Sequence, residues 1–274
     1  LNLRCFKLLL CTYKNIKFDG SIANGNYSTN ASIKDPNINL DLVANGVFNG
    51  KYTSLNFTAN VDSIKPQELH LTPQAIIYHG KVEGNLTNID PDNLNGNLLV
   101  TNSVLVTNGE RTQLDSVRLF ADNSNGQQLI RLQSPFMFAE IKGRYKLTQL
   151  ADVIQQSIDP YFSLSTTKNT KKFDDHNFTI TAKAFDNPAL RAFVPELKKL
   201  DSINIAASFS TAAGMNAAVT APLIVYGTNT INDIKFDAVT RNNHIEYNTS
   251  FSHLKSGTFA MFATSLNGSI ANNL

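Results

Sequence analysis

The sequence predicts a mainly β, mostly antiparallel fold with two short helices near its middle, and three observations predict it. Apolar residues alternate with polar ones over many short runs, as in strands with one dry and one wet face. Asn supplies 33 of the 274 residues, about 12%, and Asn suits turns and solvated surface rather than helix interiors. Asn-Gly pairs, a strong hairpin signal, punctuate the runs at Asn45-Gly46, Asn49-Gly50, Asn95-Gly96, Asn108-Gly109, Asn125-Gly126 and Asn267-Gly268. Those that fall inside an alternating run read as bulges rather than turns.

Taken in order, Leu1–Cys11 (LNLRCFKLLLC) is the most apolar run near the start. Arg4 and Lys7 interrupt it and it lacks a small-residue cleavage site, so it reads as a strand rather than a signal peptide. With Leu rather than Met first, and a strand expected over Ser265–Ile270, the chain reads as a piece of something longer. Cys5 and Cys11 are the only cysteines. On one extended strand, at about 3.3 Å per residue, they would stand roughly 20 Å apart, beyond disulfide reach unless the chain turns between them.

The clearest alternation comes next. Apolar residues fill every even position from Leu40 to Phe48, then Leu55, Phe57, Ala59 and Val61. Val117, Leu119 and Ala121 share a face, as do Ile130 and Leu132, then Phe178, Ile180 and Ala182. Later runs carry Ile203, Ile205, Ala207 and Phe209; Ala217, Val219, Ala221, Leu223 and Val225; Ile234, Phe236 and Ala238; and Ile245, Tyr247, Thr249 and Phe251. Roughly fifteen to eighteen strands are expected, spaced by about 8–15 residues.

Two segments break the pattern. Leu147, Leu150, Ile154 and Ile158 recur at helical spacing until Pro160 stops them. Asn187-Pro188 offers an Asn cap with Pro at the first helical position, followed by a stripe of Leu190, Phe193, Leu197 and Leu200. Pro195 inside that stripe predicts a kink, or a turn and a second short helix. The polar run Ser165–His176 between the two reads as a loop. The expected organisation is a β region over 1–146, a helix over 147–163, a polar loop over 164–176, and a second β region over 177–274 containing a short helix at 187–200.

So many one-sided strands present more apolar surface than two short helices can cover. The sheet must close on itself as a sandwich, barrel or folded groove, or something else must fill it. Hydrophobic content of 42% with 17% charged residues excludes a disordered chain. A net charge of +2 gives no footprint for nucleic acid or an acidic membrane surface. No run approaches the roughly 18–20 apolar residues of a membrane-spanning helix.

Chemistry is sparse. His70, His79, His176, His244 and His253 lack zinc-type spacing, and Asp174-Asp175-His176 reads as a solvated loop end. Asp90-Pro91-Asp92 reads as a turn. No nucleophile elbow, phosphate loop or dinucleotide fingerprint is present. Lys168, Lys171 and Lys172 form a basic cluster without interleaved aromatics, unlike a nucleic-acid site. Asn-x-Ser/Thr triplets at Asn26, Asn30, Asn56, Asn85, Asn177, Asn248 and Asn267 follow from an Asn- and Thr-rich composition. Neither an enzyme nor a cofactor or metal is expected.

The stretch Leu114–Phe162 resembles the TamB family of translocation and assembly module proteins in its Bacteroidota form. The matching features are the Leu114-Asp115-Ser116 strand opening, the Ala121-Asp122-Asn123 turn, the Gln127–Ser134 strand, Ile141-Lys142-Gly143-Arg144-Tyr145, and the helix ending in Tyr161-Phe162. Asn187-Pro188-Ala189-Leu190 through Val194-Pro195-Glu196-Leu197 is similar to the family's segment after that helix. Gly20–Asn102 and Ile203–Asn273 fit its degenerate repeats. These motifs are structural, so the resemblance supplies no catalytic residue.

What it implies is an AsmA-like, bridge-type envelope protein with a long curved sheet folded like a taco, polar outside and apolar along an inner groove. Phospholipid acyl chains would slide along that groove between the inner and outer membranes, across the periplasm. The full-length protein would be anchored to the inner membrane outside this sequence. Two alternatives stand beside it. One is an assembly factor for outer-membrane β-barrels, with a BamA/TamA-type barrel protein as partner. The other is a non-catalytic adhesin-like β protein. Lipid tails need continuous apolar surface without directional partners, which alternating strands supply. On the groove reading, the lining residues are Leu40, Leu42, Phe48, Leu55, Phe57, Val61, Val117, Leu119, Ile130, Leu132, Ile180, Ile205, Phe209, Val219, Leu223, Phe236, Tyr247 and Phe251.

Overall fold

The computed structural model describes residues 2–8, 11–49, 52–161 and 172–271. The chain is mainly β, antiparallel and not closed into a barrel. It divides into two compact units, one of residues 1–122, 132–135 and 187–194, the other of 123–131, 136–186 and 195–274. The expected limits at 146, 163 and 176 do not coincide with this division. The first-helix region shares a unit with the later strands, and the second helix belongs with the earlier ones.

The first unit is built from β1 (Asn2–Leu8), β2 (Cys11–Ala23), β3 (Asn26–Lys34), β4 (Ile38–Asn49), β5 (Tyr52–Thr53), β6 (Leu55–Ile64), β7 (Ile76–Asn88), β8 (Asn95–Thr107), β9 (Glu110–Leu114) and β10 (Val117–Ser124). β1 to β4 pair in sequence, β4 continues to β6, and β6, β7 and β8 follow. β8 pairs with β10 along one half and with β9 along the other. Cys5 stands on β1 opposite Lys14 and Cys11 begins β2, so the two cysteines lie on different strands.

Asn108-Gly109 makes the expected tight turn, with φ of 52° and 83°, both left-handed as a type I′ hairpin requires. Asn24-Gly25 (φ 50° and 77°) makes another that the alternation did not flag. Asn45-Gly46 and Asn95-Gly96 lie inside β4 and β8 instead. Gly50 lies outside the described residues. Asp90-Pro91-Asp92 is the expected turn: Asp90 caps a 3-10 turn over Pro91–Asn93 and accepts from the Asp92 N–H.

A line of irregularities crosses this unit. Asp62 is an extra residue in β6 relative to β4 and β7, since Asn39 and Leu40 face Ser63 and Val61. One further residue is inserted in β8 at Asn102, whose φ is 52°. On the same line, β9 gives way to β10 at Asp115-Ser116. The His79 Nδ1–H donates to the carbonyl of bulged Asp62. Such bulges bend strands and re-aim side chains. They crease the sheet.

The second unit holds β11 (Gln127–Gln133), β12 (Met137–Arg144), β13 (Asn177–Phe185), β14 (Leu197–Leu200), β15 (Ser202–Ser210), β16 (Gly214–Tyr226), β17 (Asn229–Arg241), β18 (His244–Ser256) and β19 (Phe259–Ile270). β12, β13, β15 and β16 to β19 pair antiparallel in that order, and β14 extends the ladder along the far half of β16. Ala121-Asp122-Asn123, expected as a turn, lies within β10, and the turn falls at Asn125-Gly126. Here the crease takes another form. Asp233 and Ala263 adopt φ of 52° and 44°, and the apolar row above them, Ala221 opposite Ile234, resumes below as Ile224, Ile231, Leu254 and Met261. β16 to β19 thus each slip by one residue together, so the pairing lapses at the slip but resumes in the same register.

Both helices are shorter than expected. The first is a 3-10 turn over Leu147–Gln149 followed by α1 (Leu150–Gln156). The residues to 161 turn, and 162–171 lie outside the described residues, including most of the expected polar loop. The second, α2 (Pro188–Phe193), begins with the expected cap: Asn187 Oδ1 accepts the Ala189 N–H at 2.8 Å. It does not reach residue 200. Beyond Pro195, which cannot donate within a helix, Leu197–Leu200 is β14, with Leu197 and Leu200 buried against β16.

A candidate apolar ligand-binding face

In the first unit, cross-strand register gathers the alternating residues into transverse rows. One row runs Phe18, Ala31, Leu42, Ala59, Val82, Val100 and Val117, a single residue from each of seven strands. The next runs Gly20, Thr29, Ala44, Phe57, Gly84, Leu98 and Leu119. On the crease side lie Ile16, Ile33, Leu40 and Val61, and on the other Leu55, Leu86 and Ala121. Thr29 is the only side-chain polar group in the two seven-residue rows. Seven strands at about 4.8 Å spacing make a strip about 29 Å long.

The strip is not sealed. Leu40, Leu42, Leu55, Phe57, Val82, Leu98, Val100, Val117 and Leu119 are all half-buried, and Phe18 is exposed. Val61 and Ala59 sink into the floor. The aromatic rings help to keep that floor low. Phe57 stands opposite Gly84, where an added Cβ would lie 2.7 Å from Phe57 Cδ1. Tyr27 stands opposite Gly46, where a Cβ would meet Tyr27 Cζ at 2.6 Å, and its hydroxyl donates to the Ser54 carbonyl at 2.6 Å. Each ring therefore lies down across a glycine of the next strand rather than standing up from the sheet.

The reverse face is mainly polar, interrupted by exposed Val43 and Phe120 and half-buried Leu99. Lys17, Ser32, Asp41, Asn60, Lys81 and Thr101 form one row, and Asn45, Asn56, Asn85 and Asn97 stack on four successive strands in another. Lys34 Nζ reaches Asp41 at 3.1 Å and Asp62 at 3.6 Å. The Ser32 hydroxyl, then Lys34, hold the Asp41 carboxyl below its usual range, and Asp41 raises Lys34 in turn. Charge is thus confined to the wet side.

The second unit repeats the arrangement with one difference. Ala139, Ala182, Ile205, Val219, Phe236, Thr249 and Leu266 form a row across seven strands, with Ile205, Phe236 and Leu266 exposed. Two rows over, Phe178, Phe209 and Met215 are sealed: Tyr145 and Val153 join them, with Ala238 and Ile245, in a buried core. Leu147, Leu150, Ile154 and Ile158 pack on that core. Phe178 stacks on Phe209 with centroids 5.1 Å apart and meets Tyr145 in a tilted pair at 5.6 Å. Burial pushes the Tyr145 hydroxyl up to about 12.

The expected lining residues therefore fall into groups. Leu40, Leu42, Leu55, Phe57, Val61, Val117 and Leu119 share one face of the first unit, and Ile180, Ile205, Val219, Phe236, Tyr247 and Phe251 occupy the apolar rows of the second. Phe48 is exposed and packs on Tyr27 with centroids 4.7 Å apart. Ile130 and Leu132 are half-buried on β11. Two expectations change. Phe209 is buried under the helical segment, so it has no surface to offer a ligand. Leu223 stands in a mixed row with Asn232, His253 and Phe262, because the slip at Pro222 passes the apolar row to Ile224.

Sequence reading missed Phe18, Ala31, Ile33, Val82, Leu98 and Val100. Gly80 and Gly84 replace apolar residues in β7, and Leu99 interrupts the alternation of β8, so neither strand looks one-sided. Among the described residues no group of three or more His, Cys, Asp or Glu side chains could hold a metal ion, and no helix is long and apolar enough to cross a membrane. Compared with protein-family models, curated proteins and solved structures, the chain matches none. By its geometry the face suits long, flexible, apolar ligands that need area rather than directional partners.

Proposed function

We propose that this chain is a section of a periplasm-spanning envelope protein whose apolar sheet face carries phospholipid acyl chains between the inner and outer membranes. The observation that carries the reading is the strip of half-exposed apolar residues across seven strands, backed by a charged and Asn-rich face. Contiguous apolar surface of this kind marks a binding site rather than ordinary surface. A strip of about 29 Å is longer than one leaflet's share, roughly 15 Å, of a bilayer's hydrocarbon core. An acyl chain can lie full length on it with its headgroup in water. The resemblance of Leu114–Phe162 to the TamB family supports the envelope setting and the inner-membrane anchor of the full-length protein.

The test is binding of a fluorescent phosphatidylethanolamine to delipidated protein. Saturable binding that Val100→Lys abolishes and Asn60→Lys leaves intact is the expected result. Absence of binding, or equal sensitivity to both substitutions, would refute the reading.

A further inference from the structure

The apolar surface of the second unit is one surface with two fates. Ile205 and Phe236 stand uncovered, while Phe209 and Met215, two rows further along the same face, are buried. Between them lies the row of Ile180 and Tyr247, half-buried and packed against the sealed core. The helical segment from Leu147 to Ile158 packs on the sealed core, together with Tyr161 and Phe173. Its Leu147, Leu150, Ile154 and Ile158 side chains pack on the core that holds Phe209 and Met215, branched aliphatic groups with the chemistry that an acyl chain would present. A helix this short is not stable alone in water, so its seat on the strip holds it in place.

We propose that this segment is a built-in occupant of the strip, a wall that confines a bound acyl chain to the rows between α1 and the crease. The inference rests on the acyl-chain reading and adds a constriction to it. Same-face rows along a strand are about 6.6 Å apart, so the open row through Phe236, the half-buried row through Ile234 and the partly covered row through Tyr247 span only about 13 Å. A ligand in the second unit has room for a narrow file of chains, running across the strands. It cannot reach Phe209 or Met215.

The native chain, incubated with phosphatidylethanolamine vesicles carrying a photoactivatable diazirine in one acyl chain, tests this by mass-spectrometric mapping of adducts. Adducts on Ile205, Val219 and Phe236 with none on Phe209 or Met215 are expected. Adducts on Phe209 or Met215 at yields like those on Phe236 would overturn the wall while leaving lipid binding intact. Absence of adducts throughout both units would overturn lipid binding and the wall together. In a variant with residues 147–158 replaced by a Gly-Ser linker of equal length, adducts should spread to Phe209 and Met215, provided its β circular dichroism is unchanged. A folded variant with an unaltered map would also overturn the proposal.

Discussion

Replacing Gly84 by Ala tests the idea that aromatic rings lie flat on the floor of the apolar face. A Cβ at this position would stand 2.7 Å from Phe57 Cδ1 and 2.8 Å from Leu98 Cδ2. Phe57 Cε1 would be closer still; carbon atoms pack at about 3.5–4.0 Å, so the ring must rise by more than about 1 Å. Overpacking of this kind costs about 1–3 kcal/mol, and Ala in a strand recovers about 0.5–1 kcal/mol relative to Gly. The close Cε1 contact puts the overpacking at the upper end of that range, about 2–3 kcal/mol, so Gly84→Ala should destabilise the protein by about 1–2.5 kcal/mol in urea denaturation. Phospholipid binding should fall as well, because the lifted ring enters the strip. Phe57→Leu should relieve most of the clash, giving a coupling of about 1 kcal/mol in the double-mutant cycle. Gly109→Ala is the control. With φ at 83° and nothing within 4 Å of the added methyl, it should cost about 1 kcal/mol of backbone strain and leave lipid binding unchanged. A neutral or stabilising Gly84→Ala, or one indifferent to Phe57→Leu, would refute the reasoning.

Other consequences follow from the two faces and the core. Val100→Lys places a charge in the middle of an apolar row and should lose phospholipid binding, whereas Asn60→Lys on the wet face should change stability by less than about 0.5 kcal/mol; parallel binding and denaturation curves check both. Phe178→Ala removes the most buried aromatic of the second unit and should cost about 3–5 kcal/mol, read by denaturation. Tyr145 predicts an alkaline transition: its hydroxyl holds its proton up to about 12 in the folded chain, against 10.0 ordinarily. The folded state thus binds that proton more tightly, so this contribution is complete below pH 10 and is lost as pH rises through about 12. The loss should be on the order of 2–3 kcal/mol, and Tyr145→Phe should abolish it in a pH series of unfolding curves.

Much of the fold was legible because one-sided burial writes itself as period two. From Leu40 to Phe48 and from Leu55 to Val61, alternation alone located the strands and the dry face. The crease was not legible, because an inserted residue such as Asp62 or Asn102 looks like noise in the pattern and moves every later side chain to the other parity. That is why simple alternation runs on to Leu223 where Ile224 continues the row. A signal was nevertheless present: Asp62-Ser63-Ile64, Asp115-Ser116-Val117 and Asp201-Ser202-Ile203 repeat Asp-Ser before a β-branched residue at three places where a strand is bulged or exchanged. Leu197 and Leu200 sat at helical spacing with Leu190 and Phe193, yet Pro195 and the free half of β16 made them a strand. Nothing in the spacing of Leu147 to Ile158 told which strands that helical segment would cover, since covering Phe178 and Phe209 is a matter of long-range packing.

The most direct test of the lipid-carrying face is a photocrosslinking scan along β4. A photoreactive amino acid placed singly at each position from 40 to 45, with phosphatidylethanolamine vesicles as the lipid source, reads the face residue by residue. Crosslinks at Leu40, Leu42 and Ala44 that vanish at Asp41, Val43 and Asn45 are the predicted pattern, a period of two matching the strand. Crosslinking without alternation, or strongest at the odd-numbered positions, would contradict the account.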